Sequence, residues 1–338
     1  TSIGCFYNTN IYPTDNGIGT IGQDDAQMQA QANFTSAGWD FVGETTNGTN
    51  DIWTMGACNG GIASYPTFKW QVFPFGGDGT MANPFIIATK NDLKTLSENY
   101  CFWDKHFIQT ADISFVDADF ETGGDFVNGN IPIGDGDTYF SGSYNGKGHT
   151  IDNLYMGIIG NNLRGLFGEV STTFSIDSLT LSNVNIIGKN HVGSLVARLD
   201  QGTINDCAVT GTVIGCNKFG GLVGENSGTL NNCHFNGFVK SNPFYVNCYM
   251  GGGIAGLNHG TINDCYSLGG AIKSKMDSAT AVDIGVADQY MESLGGGIGE
   301  NWGFTRNSYS QSFVKGQAWT GGFVAYNEGT IYKCYATG

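Results

Sequence analysis

The sequence predicts an all-β chain, a parallel β-helix (solenoid) with short capping helices, and three observations support it. The first is a phrase. Residues 218–237 read KFGGLVGENSGTLNNCHFNG, and variants of it return at 193–211, 251–269, 295–312 and 321–338. Self-similarity of this kind marks one structural unit stacked on copies of itself. The second is composition. With 53 glycines, 13% charged and 13% aromatic residues, the chain suits a narrow, continuous core. The third is register. Gly202, Gly228, Gly260, Gly303 and Gly329 occupy one position, and Cys207, Cys233, Cys265, Ser308 and Cys334 occupy another, five residues later.

Each register position has a physical reading. Glycine at a fixed corner supplies positive φ or a close backbone approach. A cysteine locked in register fills the core as a small apolar side chain. Asn226, Asn258, Asn301 and Asn327 stand two residues before the corner glycine, where stacked amides can bond from coil to coil. Tyr266, Tyr309 and Tyr335 directly follow the core row, so strand alternation places them outside as a ladder of rings. That ladder shields the sheet, or it serves as a sugar-binding stripe or lateral contact.

Along the chain, Thr1–Tyr7 resembles the later TINDCYS and TIYKCYA segments, which adds Cys5 to the core row and Phe6 to the ring row. Asp24–Ala32 is acidic at its start and rich in helix formers. Ala37–Val42, Asp51–Met55 and Tyr65–Trp70 carry the large aromatics of short strands. Residues 1–71 read as one segment, 72–76 as a linker, 77–162 as a second segment and 163–338 as the repeat-containing β-helix. Within 77–162, Thr89 is the expected N-cap of a helix over 89–100 that buries Leu93 and Leu96. His106–Phe115 reads as a strand. The register interval runs 26, 32, 43 and 26 residues, so insertions at 241–249 and 274–293 gather at one corner. About eight coils at a strand spacing of about 4.8 Å give a rod of about 40 Å.

Composition also excludes. A net charge of −15 speaks against nucleic acid, whose phosphates need clustered Lys and Arg. No run of about 18 apolar residues exists to span a membrane, and the first ten residues lack the features of a signal peptide. The chain is expected to be a mature product or a segment of something longer. His106, His149, His191, His234 and His259 lack metal-ligand spacing, and no Ser-His-Asp constellation, phosphate loop or CxxC is present. Paired carboxylates at Asp24/Asp25, Asp117/Asp119 and Asp135/Asp137 read as turn residues. No metal or cofactor is expected, with calcium at Asp135 and Asp137 as the alternative. Asn33 and Asn47 begin glycosylation sequons. Cys58, Cys101, Cys216 and Cys248 lie off the core row and are free to pair.

Gly221-Leu222-Val223-Gly224, with Gly253-Ile254-Ala255-Gly256 as a variant, resembles the motif of the GLUG-repeat β-helix proteins of bacterial and archaeal surfaces. GDGTMANPFIIATKNDLKTL resembles that family's N-terminal cap, and FSGSYNGKGHTIDNL its first coil. By this resemblance 77–162 is an N-terminal cap with the first coils, and 1–71 is a closing segment. The resemblance implies an extracellular, cell-surface location and supplies no catalytic residues. It also implies the order cap, repeats, closing segment, whereas here the closing segment comes first. Reading KCYATG into TSIGCFYN restores the phrase. The expected function is a structural subunit assembling head-to-tail into a filament, sheath or stalk. Its partner is itself or an adjacent module of the same chain, with residues 1–71 completing the neighbour. The alternatives are an adhesin or carbohydrate-binding β-helix recognising surface glycans and, on fold alone, a polysaccharide lyase or hydrolase.

Overall fold

The computed structural model describes residues 5–9, 20–28, 30–41, 45–50, 52–55, 66–68, 75–127, 129, 132–157, 162–171, 174–242, 245, 248–272, 293–315 and 319–338. Two compact units divide it, Thr1–Asp78 and Gly79–Gly338.

In the first unit, Cys5–Asn8 pairs in parallel with Thr20–Gln23, and Trp53–Met55 pairs antiparallel with Pro66–Phe68. The helix expected over 24–32 is broken in two, Asp25–Met28 and Gln31–Ser36. Ala30 takes an extended conformation between them, and the restarted helix carries Phe34 into a buried cluster with Phe6 and Trp39. Of the strand expected over 37–42, the described residues keep only the bridge from Phe41 to Trp53.

The second unit is the solenoid. Its coil has four sides, shown by residues 217–241. A lead-in strand, Asn217–Gly220, is followed by Val223–Asn226, a short strand Thr229–Asn231, and a long strand His234–Ser241. Each pairs in parallel with its equivalents one coil away. Among the described residues the short side stacks nine strands, the long side eight with Tyr155–Gly157 paired off that stack, the second side six, and the lead-in side five. The inward residues are apolar: Ile176, Ile204, Leu230 and Ile262 on the short side, and Leu181, Val209 and Phe235 on the long side, all buried. Parallel strands enclosed in this way need apolar inward positions at alternate residues, which is the pattern of the repeat.

Upstream, Lys90–Glu98 is a helix opened by a capping box. Thr89 Oγ1 accepts from Asp92 N (3.2 Å), and Asp92 Oδ2 accepts from Thr89 N (2.8 Å). Leu93 and Leu96 are buried beneath it. The strand expected over 106–115 is interrupted and forms His106–Gln109 and Ile113–Ser114.

Two parts of the corner chemistry differ from the sequence reading. Of the corner glycines, Gly202 alone has positive φ, at +94°. For Gly228, Gly260, Gly303 and Gly329 the reason is the other one: a Cβ on each would meet the carbonyl oxygen of the glycine one coil before it. The left-handed turn lies elsewhere, at Asp206, Asn232, Asp264, Asn307 and Lys333, each immediately before the core row. Asn and Asp tolerate that conformation best among side-chain-bearing residues.

The core row is Cys207, Cys233, Cys265 and Ser308, all buried, with Cys334 half-buried. Cys5, in the first unit, is exposed on a strand of a two-stranded sheet. The row is also not merely apolar. Cys207, Cys233 and Cys265 each donate to the carbonyl two residues back at 3.1 Å, and Ser308 does the same to Arg306 O at 2.7 Å. Of the off-row cysteines, Cys216 and Cys248 form a disulfide joining two coils at one corner, and Cys58 lies outside the described residues.

Candidate functional site

Side-chain columns of three kinds run from coil to coil, and they decide what the surface can do. The first is buried amide. Asn226 Nδ2 donates to Asn258 Oδ1, Asn258 to Asn301, and Asn301 to Asn327, each at 2.7 Å. A second amide column on the short side runs the opposite way. Asn263 donates to Asn231 and Asn231 to Asn205 at 2.8 Å, and Asn205 to Asp177 at 2.7 Å. Equal side chains in equal register satisfy one another without water, so these columns fix the stacking register.

The second column is aromatic. His234, Tyr266, Tyr309 and Tyr335 stack on the outer long side, with centroids 4.7, 4.9 and 5.0 Å apart and planes within 6°. His234 extends the ladder beyond the tyrosines expected, directly following Cys233 as they follow their core residues. Phe6 packs instead against Phe34 and Trp39 in the first unit, at 4.8 and 5.7 Å. Stacking at the strand spacing covers both faces of each inner ring. A sugar needs an open ring face to lie on, so Tyr266 and Tyr309 offer it only edges and hydroxyls. The far face of Tyr335 is open, and the residue is 53% exposed.

The third column is charged. Glu169, Arg198 and Glu225 are in register on the second side. Arg198 lies 2.7 Å from Glu169 and 3.9 Å from Glu225. Lys218 and His191 each reach Glu225 Oε2 at 2.9 Å. Burial, only partly offset by Arg198, raises the pKa of Glu169. Burial would raise Glu225 too, but hydrogen bonds from His191 and Lys218 outweigh it and bring its pKa to about 2. Carboxyls pushed apart in this way can be an acid–base pair. Glycoside hydrolysis, however, places the scissile bond between the two carboxyls, and Arg198 stands in that space.

The remaining candidates are turn and packing residues. Asp135 Oδ1 accepts from Asp137 N and Thr138 N at 2.9 and 2.8 Å, an Asx turn. Among the described residues no three His, Cys, Asp or Glu side chains gather as metal ligands. His106 Nδ1 lies 2.7 Å from Ser143 Oγ, with no described carboxylate in reach to orient it. His149 pairs with Asp112, and His259 lies against Trp302. The sequon amides are engaged. Asn33 Nδ2 donates to Gln27 O, and Asn47 Nδ2 donates to Thr35 O and Trp39 O, so glycan attachment at Asn47, which uses both amide hydrogens, would release one of its bonds. Among the described residues no helix is long and apolar enough to cross a membrane.

Comparison with known proteins agrees with this geometry. The family described as the GLUG motif matches residues 188–214, which run through the lead-in, second, short and long strands of one coil. Halomucin of Haloquadratum walsbyi is 40% identical over 154 residues, which is 45% of this chain and 2% of Halomucin. A candidate Gly-rich membrane protein of Evansella cellulosilytica is 34% identical over 107 residues, which is 32% of this chain and 12% of that protein. The chain thus spans a small part of the length of these relatives. A candidate immunoglobulin A1 protease of Bacteroides ovatus shares the fold, with a TM-score of 0.53 and 20% identity over 77% of each chain.

Proposed function

We propose that this chain, a parallel β-helix carrying the GLUG motif, is a structural protein of the cell surface whose coils stack head-to-tail into a filament, sheath or stalk. The observation that carries the reading is the constant register of the coils: the amides of Asn226, Asn258, Asn301 and Asn327 and the rings of His234, Tyr266, Tyr309 and Tyr335 repeat from one coil to the next, so each coil is a template for another. The segment Cys5-Phe6-Tyr7 has the sequence of such a coil, with a thiol at the core-row position and a ring at the ladder position. Supplied by a second copy or by a tandem module, such a contact is heterologous, and heterologous contacts that do not close into rings make filaments. The name of the Evansella relative, a membrane protein, supports the surface location. Arg198 standing between the two carboxyls supports a non-enzymatic role. Electron microscopy of the concentrated protein is expected to show fibres, and an Ile331→Asp/Tyr335→Asp variant only short rods. Wild-type protein that stays as dispersed rods would sink the assembly reading.

A second reading, glycan binding, is favoured at one place. Phe238 and Phe313 on the outer long side are 39% and 49% exposed, with Gly270 between them in register and ring centroids 6.2 Å apart. Here ring area faces solvent. Binding on a glycan array should be lost in Phe313→Ala and kept in Tyr309→Ala, and the reverse pattern would restore the tyrosine column as the sugar stripe.

A further inference from the structure

We propose that a cavity at the N-terminal end of the solenoid is a subsite for one acidic monosaccharide, a hexuronate, whose carboxylate is held by Arg164. The cavity has a volume of about 310 Å³ and is lined by Ser97, Trp103, Pro132, Asp135, Asn162 and Arg164, among others. That volume is at the lower end of what small-ligand sites use.

Arg164 carries the argument. Its backbone bridges Val192, at the head of the lead-in column, so its side chain starts inward. It is only 7% exposed, and among the described residues nothing hydrogen-bonds its Nε or forms an ion pair with it. A guanidinium whose Nε is buried without a partner is costly and is retained most readily where an anion completes it. Its fork of donors matches a carboxylate in a bidentate manner. The other lining groups suit the rest of a sugar. Trp103 spends its indole N–H on Leu96 O (2.8 Å) and so offers ring surface, the usual partner of a sugar's C–H face. Ser97, Asn162 and Asp135 are polar groups for hydroxyls.

The charge of the cavity selects among anions. Arg164 and Asp135 sum to zero, so a monoanionic carboxylate leaves one net negative charge and a phosphate dianion leaves two. Asp135 therefore disfavours phosphate. This proposal is independent of filament assembly, because the cavity lies far along the coil stack from residues 319–338.

Isothermal titration of the intact chain with D-galacturonate, D-galactose and inorganic phosphate tests it. Galacturonate should bind roughly tenfold or more tighter than galactose, the ratio expected for one charge-assisted pair, and tighter than phosphate. Arg164→Met should abolish that preference while thermal unfolding shows the fold retained, and Asp135→Asn should tighten galacturonate binding several-fold. Equal binding of galacturonate and galactose would overturn the proposal. So would phosphate binding more tightly, or the absence of galacturonate binding at millimolar concentration.

Discussion

Upstream of Asn190 the interior of the solenoid adds a run of rings to its aliphatic rows, which include Ile151, Ile176 and Leu181. Phe107, Phe140, Phe167 and Phe174 follow one another with centroids 6.1, 5.0 and 5.3 Å apart, and the buried Tyr144 reaches Phe167 at 5.9 Å. Downstream, where the lead-in strands complete a fourth side, the interior is filled mainly by Ile, Val, Leu and Cys, beside the buried rings of Phe219 and Phe235, with amides locked in columns. A complete coil repeats its contacts, so smaller residues in equal register fill most of it. Before the fourth side exists, contiguous large rings at varied angles supply much of the volume. One region is held by volume and the other by register.

The largest effect should come from the ring region. Phe167→Ala removes a fully buried ring that touches Phe140, Tyr144 and Phe174. The expected cost is about 3–5 kcal/mol, read as a lower denaturation midpoint in urea. A cost below that of the next variant would mean that the upstream coils are the softer part and would invert the comparison.

In the register region the central rung is Asn258. Asn258→Ala leaves Asn226 Nδ2 without its acceptor in a fully buried site, while Asn301 Oδ1 still accepts from Thr305 Oγ1 at 3.3 Å. The expected cost is about 2 kcal/mol, chiefly one buried unsatisfied donor. Asn327→Ala, at the exposed end of the same column, should cost much less. Equal costs at the two positions would show that the ladder does not act as a buried column.

Much of this was legible because repetition exposes register. Aligning five phrases reveals the amide column, the tyrosine ladder and the core row, since each recurs at a fixed offset. The same alignment could have placed His234 in the ring ladder, but its ring is not a tyrosine. It could not say which corner residue takes the left-handed turn, because Asp206, Asn232, Asp264, Asn307 and Lys333 vary in type while the neighbouring glycines do not. Those glycines are held by contact with the coil beneath, which depends on stacking and not on local propensity. Upstream, the break at Ala30 accompanies the burial of Phe34, and at the interruption after Gln109 the buried Gln109 amide donates to Ala111 O and Thr150 O; no periodic pattern records either.

A smaller effect concerns the charged column. The folded carboxyl of Glu225 titrates at about 2, because hydrogen bonds from His191 and Lys218 outweigh the opposing effect of burial, whereas an unfolded glutamate titrates near 4.3. A depressed folded pKa gives stability that is full above the unfolded value and is lost as pH falls through the folded one. Glu225→Gln should therefore cost roughly 1 kcal/mol at neutral pH, after allowance for the solvent that reaches the pair. The two proteins should converge between about pH 4.3 and pH 2. A gap that persists unchanged at pH 2 would assign the effect to packing.

The smallest effect, and the finest test of register against volume, is at the core row. Cys265 Sγ donates to Asn263 O at 3.1 Å and accepts from Cys233 N at 3.4 Å. One coil later Ser308 Oγ donates to Arg306 O at 2.7 Å and accepts from Cys265 N at 3.1 Å. The position thus asks for a small side chain that both gives and takes a hydrogen bond, at a corner where the turn withdraws a backbone N–H from the ladder. Cys265→Ser should be tolerated to within about 1 kcal/mol, whereas Cys265→Ala, which fills space but leaves Cys233 N unmet, should cost more. If serine costs more than alanine, the row selects apolar volume, and the substitution at Ser308 owes its tolerance to the following coil alone. Burial also holds the Cys265 thiol well above its ordinary pKa. Alkylation of the native protein at neutral pH should therefore spare Cys265 while reaching the exposed Cys5.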